Sequence, residues 1–169
     1  MHEQQISEME GRICNGQFFW KIRNYSKYQR EAERGEMTAL HSQPFYTSPS
    51  GGYKLCVRAN LNGVDSARGN HLSLFIHFMQ GEYDDVLEWP FSGRIILSVM
   101  DQNDCCELRN HVAETLAAKP NLAAFQKPTT PRNHKGFGYM EFLPLSALKQ
   151  STYIKNDTLI IKAHVLPNG

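Results

Sequence analysis

This sequence lacks an excess of charge of either sign. Lysine and arginine total 18 against 17 for aspartate and glutamate, a formal net charge of +1. The cations are scattered rather than striped, so no nucleic-acid partner is expected. The longest apolar runs last only a few residues, too short for a membrane-spanning helix, and no direct membrane insertion is expected. The opening residues, MHEQQISEMEGRI, are polar and mildly acidic, and no secretory leader is expected. There are only four cysteines, Cys14, Cys56, Cys105 and Cys106. Two of them are adjacent, where bridging is rare, and no CxxC pair is present, so reduced thiols without zinc are expected. The seven histidines are dispersed. His71 and His77 share a strand pattern but stand near its opposite ends, with no cysteine or carboxylate spacing to complete a metal site.

Catalytic signatures are missing too. The sequence has no G-x-S-x-G elbow, Walker loop, HExxH or GxGxxG. Ser98, Asp101 and His111 supply the letters of a triad without a recognisable spacing. Glu82, Asp84, Asp85 and Glu88 crowd one stretch, but not in EF-hand order, and read as a solvated loop. Neither enzyme activity, metal nor cofactor is expected from these residues.

What is present is a period-two pattern. The 169 residues, 41% hydrophobic and 21% charged, suit one globular domain. After Asn15-Gly16, Phe18, Trp20 and Ile22 alternate with Phe19, Lys21 and Arg23. In YKLCVRANL, Tyr53, Leu55, Val57, Ala59 and Leu61 take one face. In HLSLFIHFM, Leu72, Leu74, Ile76 and Phe78 do so, and RIILSVMD and TLIIKAHVL add two strands. Ser50-Gly51-Gly52, Asn62-Gly63, Pro90, Asn103-Asp104 and Asn156-Asp157 mark turns between them. Several strands spaced this way predict an all-β antiparallel sandwich. Two helical pieces interrupt it: AETLAA, rich in helix formers and stopping before Lys119-Pro120, and LSALKQ, with Ser146 as N-cap. Near the start, Ile6, Met9 and Ile13 fall at i, i+3 and i+7, a single heptad-like seam; it is either a frayed terminal helix or the last turn of a longer coiled coil.

One strand is unusual. In NHKGFGYMEF, glycines 136 and 138 alternate with Phe137 and Tyr139, although glycine weakens a strand. Two readings follow. The bare positions let a foreign extended peptide approach a sheet edge, with Phe137 and Tyr139 walling a side-chain pocket. Alternatively the aromatics are core and the glycines mark a bulge or close sheet packing.

The blocks FFWKI, HSQPFYTSPSGGYKLCVR, NHLSLFIHFMQGEYDDVLEWPF, ILSVMDQ, FQKPTTPRN, KGFGYMEFLPL and YIKNDTLIIKAHV cover residues 14 to 166. Together they resemble the MATH (TRAF-C) domain of the TNF-receptor-associated factors. The resemblance implies an eight-stranded antiparallel sandwich with short helices over residues 14–169, preceded over residues 1–13 by the end of a coiled coil that trimerises the parent. It implies a cytoplasmic adaptor that binds linear motifs in receptors, receptor-proximal kinases and adaptors and feeds immune, NF-kB-type signalling. The parent of such a domain can carry a RING and act as a ubiquitin ligase. The branch serving TNF receptors has a tyrosine, an aspartate and a serine cluster where this chain has Asn60, Val64, and Ala123 with Ala124. AKPNLAAFQKPTTPRNHKGFGY is instead similar to the branch serving interleukin-1, Toll-like and RANK receptors.

That branch implies a motif of proline, any residue, glutamate, two residues, then an aromatic or acidic residue, added as a strand along His134 to Tyr139. The proline would rest on Phe137 and Tyr139 near Leu116, with Gly136 and Gly138 letting the peptide approach. The glutamate would meet amides at Ala123 and Ala124 beside Lys135. The last residue would meet Arg58, with His41 and Arg132 nearby. His134 replaces a usual proline, which would make binding sensitive to mild acid, and Leu116 replaces a familiar methionine. Two other functions follow from the same sequence: a MATH domain that recruits serine-rich degrons to a ubiquitin ligase, and a hydrolase built on His111 and Asp101.

Overall fold

The computed structural model describes residue 6, residues 9–12 and residues 14–168. Among them run β1 (Gln17–Arg23), α1 (Tyr25–Glu33), β2 (Leu40–His41), β3 (Phe45–Tyr46), β4 (Lys54–Asn60), β5 (His71–Met79), β6 (Gly93–Val99), β7 (Val112–Ala117), β8 (Phe137–Pro144), α2 (Leu145–Lys149), β9 (Ile154–Lys155) and β10 (Thr158–Pro167). The strands form two antiparallel sheets. One has the order β1-β10-β6-β7, with β9 beside β10; the other has the order β2-β4-β5-β8, with β3 beside β4. Because β2 and β3 both lie along β4, they act as one interrupted strand. With β9 as a hairpin arm, the plan is the expected eight-stranded sandwich.

The alternation read from the sequence supplies the core. Phe18 and Ile22, Leu55 with Val57 and Ala59, Leu72 with Leu74, Ile76 and Phe78, and Leu159 with Ile161 are all buried between the sheets. Each large side chain so buried contributes roughly 1.5–3 kcal/mol. Tyr53, Phe78, Phe91 and Phe125 close one end as an aromatic cluster, with ring centres 5.0 Å apart for Tyr53–Phe91 and 4.9 Å for Phe78–Phe91. Asn156 and Asp157, both left-handed at φ 52° and 55°, make the tight turn between β9 and β10.

Three expectations are corrected. AETLAA is not a helix: it forms most of β7, with Leu116 opposite Ile95 and buried. Its helix propensity is worth a few tenths of a kcal/mol per residue, and pairing along the whole of β6 outweighs it. The helix of LSALKQ is real, but it starts at Leu145 behind Pro144, so Ser146 lies inside it rather than capping it. The acidic stretch is not all solvated. Asp84 is buried and accepts the Gly81 amide at 3.0 Å, while its carbonyl accepts the Trp89 indole N–H at 2.9 Å.

The structure also adds α1, which buries Tyr25, Gln29 and Ala32. Its start is capped from a distance: Asp157 Oδ1 accepts the Ser26 amide at 2.9 Å and its hydroxyl at 2.6 Å. At the N-terminus residues 9–12 are helical, and Ile6 and Met9 are exposed. Of the seam, Ile13 lies outside the described residues. No helix among the described residues is long and apolar enough to cross a membrane.

Candidate functional site

The sandwich has two lateral margins. At one, β8 ends its sheet and β7 ends the other, and the Tyr139 hydroxyl reaches the Thr115 carbonyl across the gap at 3.3 Å. The antiparallel ladder fixes which backbone groups of β8 are spent. Ser42 N–H donates to the Val57 carbonyl at 2.8 Å, so Leu55, Val57 and Ala59 bond toward β2 and β3. Alternation then turns Leu72, Leu74, Ile76 and Phe78 toward β8. Asn133 N–H donating to the Phe78 carbonyl at 2.9 Å fits that parity. Phe137 pairs with Ile76 and Tyr139 with Leu74. Gly138, and Gly136 before it, therefore turn N–H and C=O outward. No backbone hydrogen bond reaches either glycine on that side among the described residues.

The missing side chains have a separate cause. A Cβ on Gly136 would sit 2.5 Å from His77 Nε2, and one on Gly138 would strike the Leu74 carbonyl oxygen and lie 2.7 Å from Phe75 Cα. The glycines let β8 close onto its own neighbour β5, where the register shifts between Leu72 and Leu74. Close sheet packing, one of the two readings of the sequence, explains the bare face. The open backbone comes from the ladder parity.

Arg58, Phe75 and Gly138 lie in one cross-strand row. The Arg58 guanidinium stacks 4.2 Å above the Phe75 ring centre, a contact worth roughly 0.5–2 kcal/mol. Burial, then the neighbouring Arg132, pushes the Arg58 guanidinium below its usual range. Its Nε is buried without a hydrogen-bond partner among the described residues. His41 faces Arg58 across β2–β4 and sets its ring 6.0 Å from His77, edge-on. Burial pushes His77 down to about 4, against the hydrogen bond of 2.8 Å to the Asn133 carbonyl that fixes its proton on Nδ1. Burial lowers His41 as well, with Arg132 and Arg58 adding to the effect. The corner is thus cationic and poorly neutralised.

At the other end Phe137 meets Phe125 edge-on at 5.2 Å, and the Lys119 ammonium sits 5.6 Å from the Phe137 ring centre. Ala123 to Phe125 form a short 3₁₀ turn in which Phe125 N–H bonds Leu122 and Gln126 N–H bonds Ala123. The first amides of such a turn have no partner within it. Asn133 holds the turn against β8: its side-chain N–H donates to the Ala123 carbonyl at 2.9 Å, and its Oδ1 accepts the Lys135 amide at 3.0 Å.

Of the residues named from the sequence, the structure brings Arg58, His41 and Arg132 together at one corner. It sets Phe137, Tyr139, Gly136 and Gly138 along the edge, with Ala123 and Ala124 beside it. His134 and Lys135 are exposed just ahead of β8, and Leu116 is buried beneath the margin. Phe75, His77, Asn133 and Lys119 were missed. A large aromatic on the polar face of HLSLFIHFM was the available signal for Phe75. The His111 and Asp101 pair is arranged otherwise. The Asp101 backbone amide, not its carboxylate, meets His111 Nδ1 at 2.8 Å, and the carboxylate is occupied by the Asn103 and Asn110 amides and the Thr152 hydroxyl.

An antiparallel sandwich whose β8 edge is unpaired and lined by aromatic rings and cations defines a class of β-sandwich modules. Comparison with known proteins narrows it: residues 37–162 match the TRAF/meprin MATH domain model, and the chain belongs to that family. It is 47% identical over 164 residues to TNF receptor-associated factor 6 of Rattus norvegicus, covering 96% of this chain and 31% of the relative. Against TNF receptor-associated factor 6-A of Xenopus laevis it is 44% identical, covering 96% and 29%. A solved structure described as Notothenia coriiceps TRAF5 superposes with a TM-score of 0.90 at 34% identity, covering 99% of this chain and 81% of that one. The chain therefore spans about a third of the length of the curated relatives it matches.

Proposed function

We propose that this domain is the peptide-binding part of a cytoplasmic adaptor, taking up Pro-x-Glu-x-x-(aromatic or acidic) segments as an added strand along β8. One observation carries the reading: the unspent backbone of Gly138, with that of Gly136 just before it, lies in register with the Arg58–Phe75 stack. In this reading Phe137 and Tyr139 flank the proline, the amides at Ala123 and Ala124 receive the glutamate beside Lys135, and the terminal aromatic or acidic residue meets Arg58, His41 and Arg132. Leu116 supports the floor and His134 borders the entrance. A charge-assisted hydrogen bond to the glutamate contributes roughly 1.5–3 kcal/mol. Ordering a flexible peptide removes much of that gain, so a single site is expected to bind at roughly 1 µM to 1 mM. In the parent, as the family resemblance implies, such sites would couple receptors and receptor-proximal kinases to immune signalling, within a homotrimer assembled by an upstream coiled coil and with ligase activity residing outside these residues.

Calorimetry with a motif peptide tests this. Arg58→Ala and Phe137→Ala should each weaken binding by roughly 1–2 kcal/mol while circular dichroism reports an intact fold. Unchanged affinity in both folded variants removes the assignment. Preference for a serine-rich peptide over the proline–glutamate one assigns the domain to degron recruitment instead.

A further inference from the structure

At the second lateral margin, formed by β1 and β2, only His41 of β2 enters that reading; β1 has no role in it. The Gly16 carbonyl accepts the Val165 amide at 2.8 Å, which fixes the parity of the β1–β10 ladder. Phe18, Trp20 and Ile22 bond toward β10, and Phe19, Lys21 and Arg23 turn N–H and C=O away from it. No backbone hydrogen bond caps these outward groups among the described residues. Beside this edge lies a cleft of about 300 Å³, with Trp20, Tyr28 and Leu40 on its apolar side and Lys21, Arg23 and His41 around it; among the described residues no carboxylate lines it. Lys27 adds a further cation, 5.5 Å from the Tyr28 ring centre. On the outer face Phe19 is half-exposed under the Lys162 ammonium at 5.3 Å.

We infer that β1 is a second strand-accepting edge, and that its occupant is an extended acidic segment of another protein in which acidic and apolar residues alternate. Side chains of an added strand alternate between faces. On the inner face they would enter the Trp20–Tyr28–Leu40 cleft, where apolar groups are favoured. On the outer face they would lie beside Lys21, Arg23 and Lys162, where carboxylates are favoured. Cations on an edge strand ordinarily repel unwanted strands. Here they repel a second β1, which carries the same charges, and admit a strand of opposite sign. A lipid surface offers no alternating donors and acceptors to match the open backbone, and so fits less well.

The test uses the 169-residue chain and an end-capped peptide of about nine residues alternating glutamate and valine, long enough to run beside this strand. A lysine–valine peptide is the control. The glutamate–valine peptide should shift the NMR signals of Phe19, Lys21 and Arg23 and slow hydrogen exchange at their amides. Lys21→Glu with Arg23→Glu, both on exposed positions, should weaken it about tenfold or more. Phe137→Ala should leave this binding unchanged, which separates it from the β8 edge. The inference is overturned if the shifts map to β8 and vanish in Phe137→Ala. It is equally overturned if the lysine–valine peptide binds as well, or if only phosphatidylserine vesicles perturb β1.

Discussion

At the scale of single residues, Gly138 serves two purposes at once. Gly138 turns its backbone outward and its bare face inward, against the Leu74 carbonyl and Phe75. Gly138→Ala should therefore cost about 1–3 kcal/mol through overpacking, read as a lowered midpoint in urea with little change in slope. A wild-type midpoint would show that β8 can retreat from β5 without penalty. His77 lies opposite Cys56 on β5 and is buried neutral at about 4, below its ordinary 6.5. The unfolded chain takes up a proton at higher pH than the folded one. The stabilisation is therefore complete above about pH 6.5 and is lost as pH falls toward 4, amounting to about 3 kcal/mol. Burial lowers His41 and His164 in the same sense, so the His77 share must be isolated. Denaturant unfolding of wild type and His77→Gln at pH 7, 5.5 and 4 does so: the variant should lose less stability across that interval. Parallel losses would assign the acid sensitivity to other groups.

At the scale of elements, an added strand has a direct signature. If a proline–glutamate–aromatic peptide pairs with β8, hydrogen exchange at Gly136 and Gly138 should slow in its presence. Exchange at Phe137 and Tyr139, already bonded to β5, should change little. Protection confined to side-chain neighbours, with both glycines exchanging freely, would mean that the peptide docks without joining the sheet. The legibility of the sequence divides along a similar line. Strands that bury one face, such as β4, β5 and β10, announce themselves by alternation, because burial acts on every second side chain. AETLAA misleads because β7 is an edge strand with one well-buried residue, Leu116, so only propensity remains to be read. Helix α1 hides because its cap comes from Asp157, more than a hundred residues away. At the candidate site the aromatics and glycines of NHKGFGY are legible locally. Phe75 beneath Arg58 and Asn133 bracing the Ala123 turn exist only once three strands are in register.

At the scale of the whole molecule, the proposed peptide site combines a shallow edge with a partly desolvated arginine, which would set a modest affinity for one domain. The proposed homotrimer would raise it without any new contact. Ile6 and Met9 point into solvent, at 55% and 63% exposure, on the helical residues that precede the sandwich. One heptad is too short to hold a coiled coil, which needs about three or four. The chain by itself is therefore expected to be monomeric in light scattering at micromolar concentration. Joined in register behind Ile6 and Met9 to a designed trimeric coiled coil, three β8 edges would face one receptor cluster together. Once one edge is engaged, the second meets its ligand at the effective concentration set by the helix-to-sandwich geometry. Dissociation from a surface densely coated with motif peptide should slow by about 10²–10⁴ relative to the monomer. On a sparsely coated surface the advantage should disappear, because the remaining edges find no second ligand within reach. A trimer that dissociates as fast as the monomer from the dense surface would mean that the three edges cannot face one plane, and the proposed route to avidity would fail on geometry.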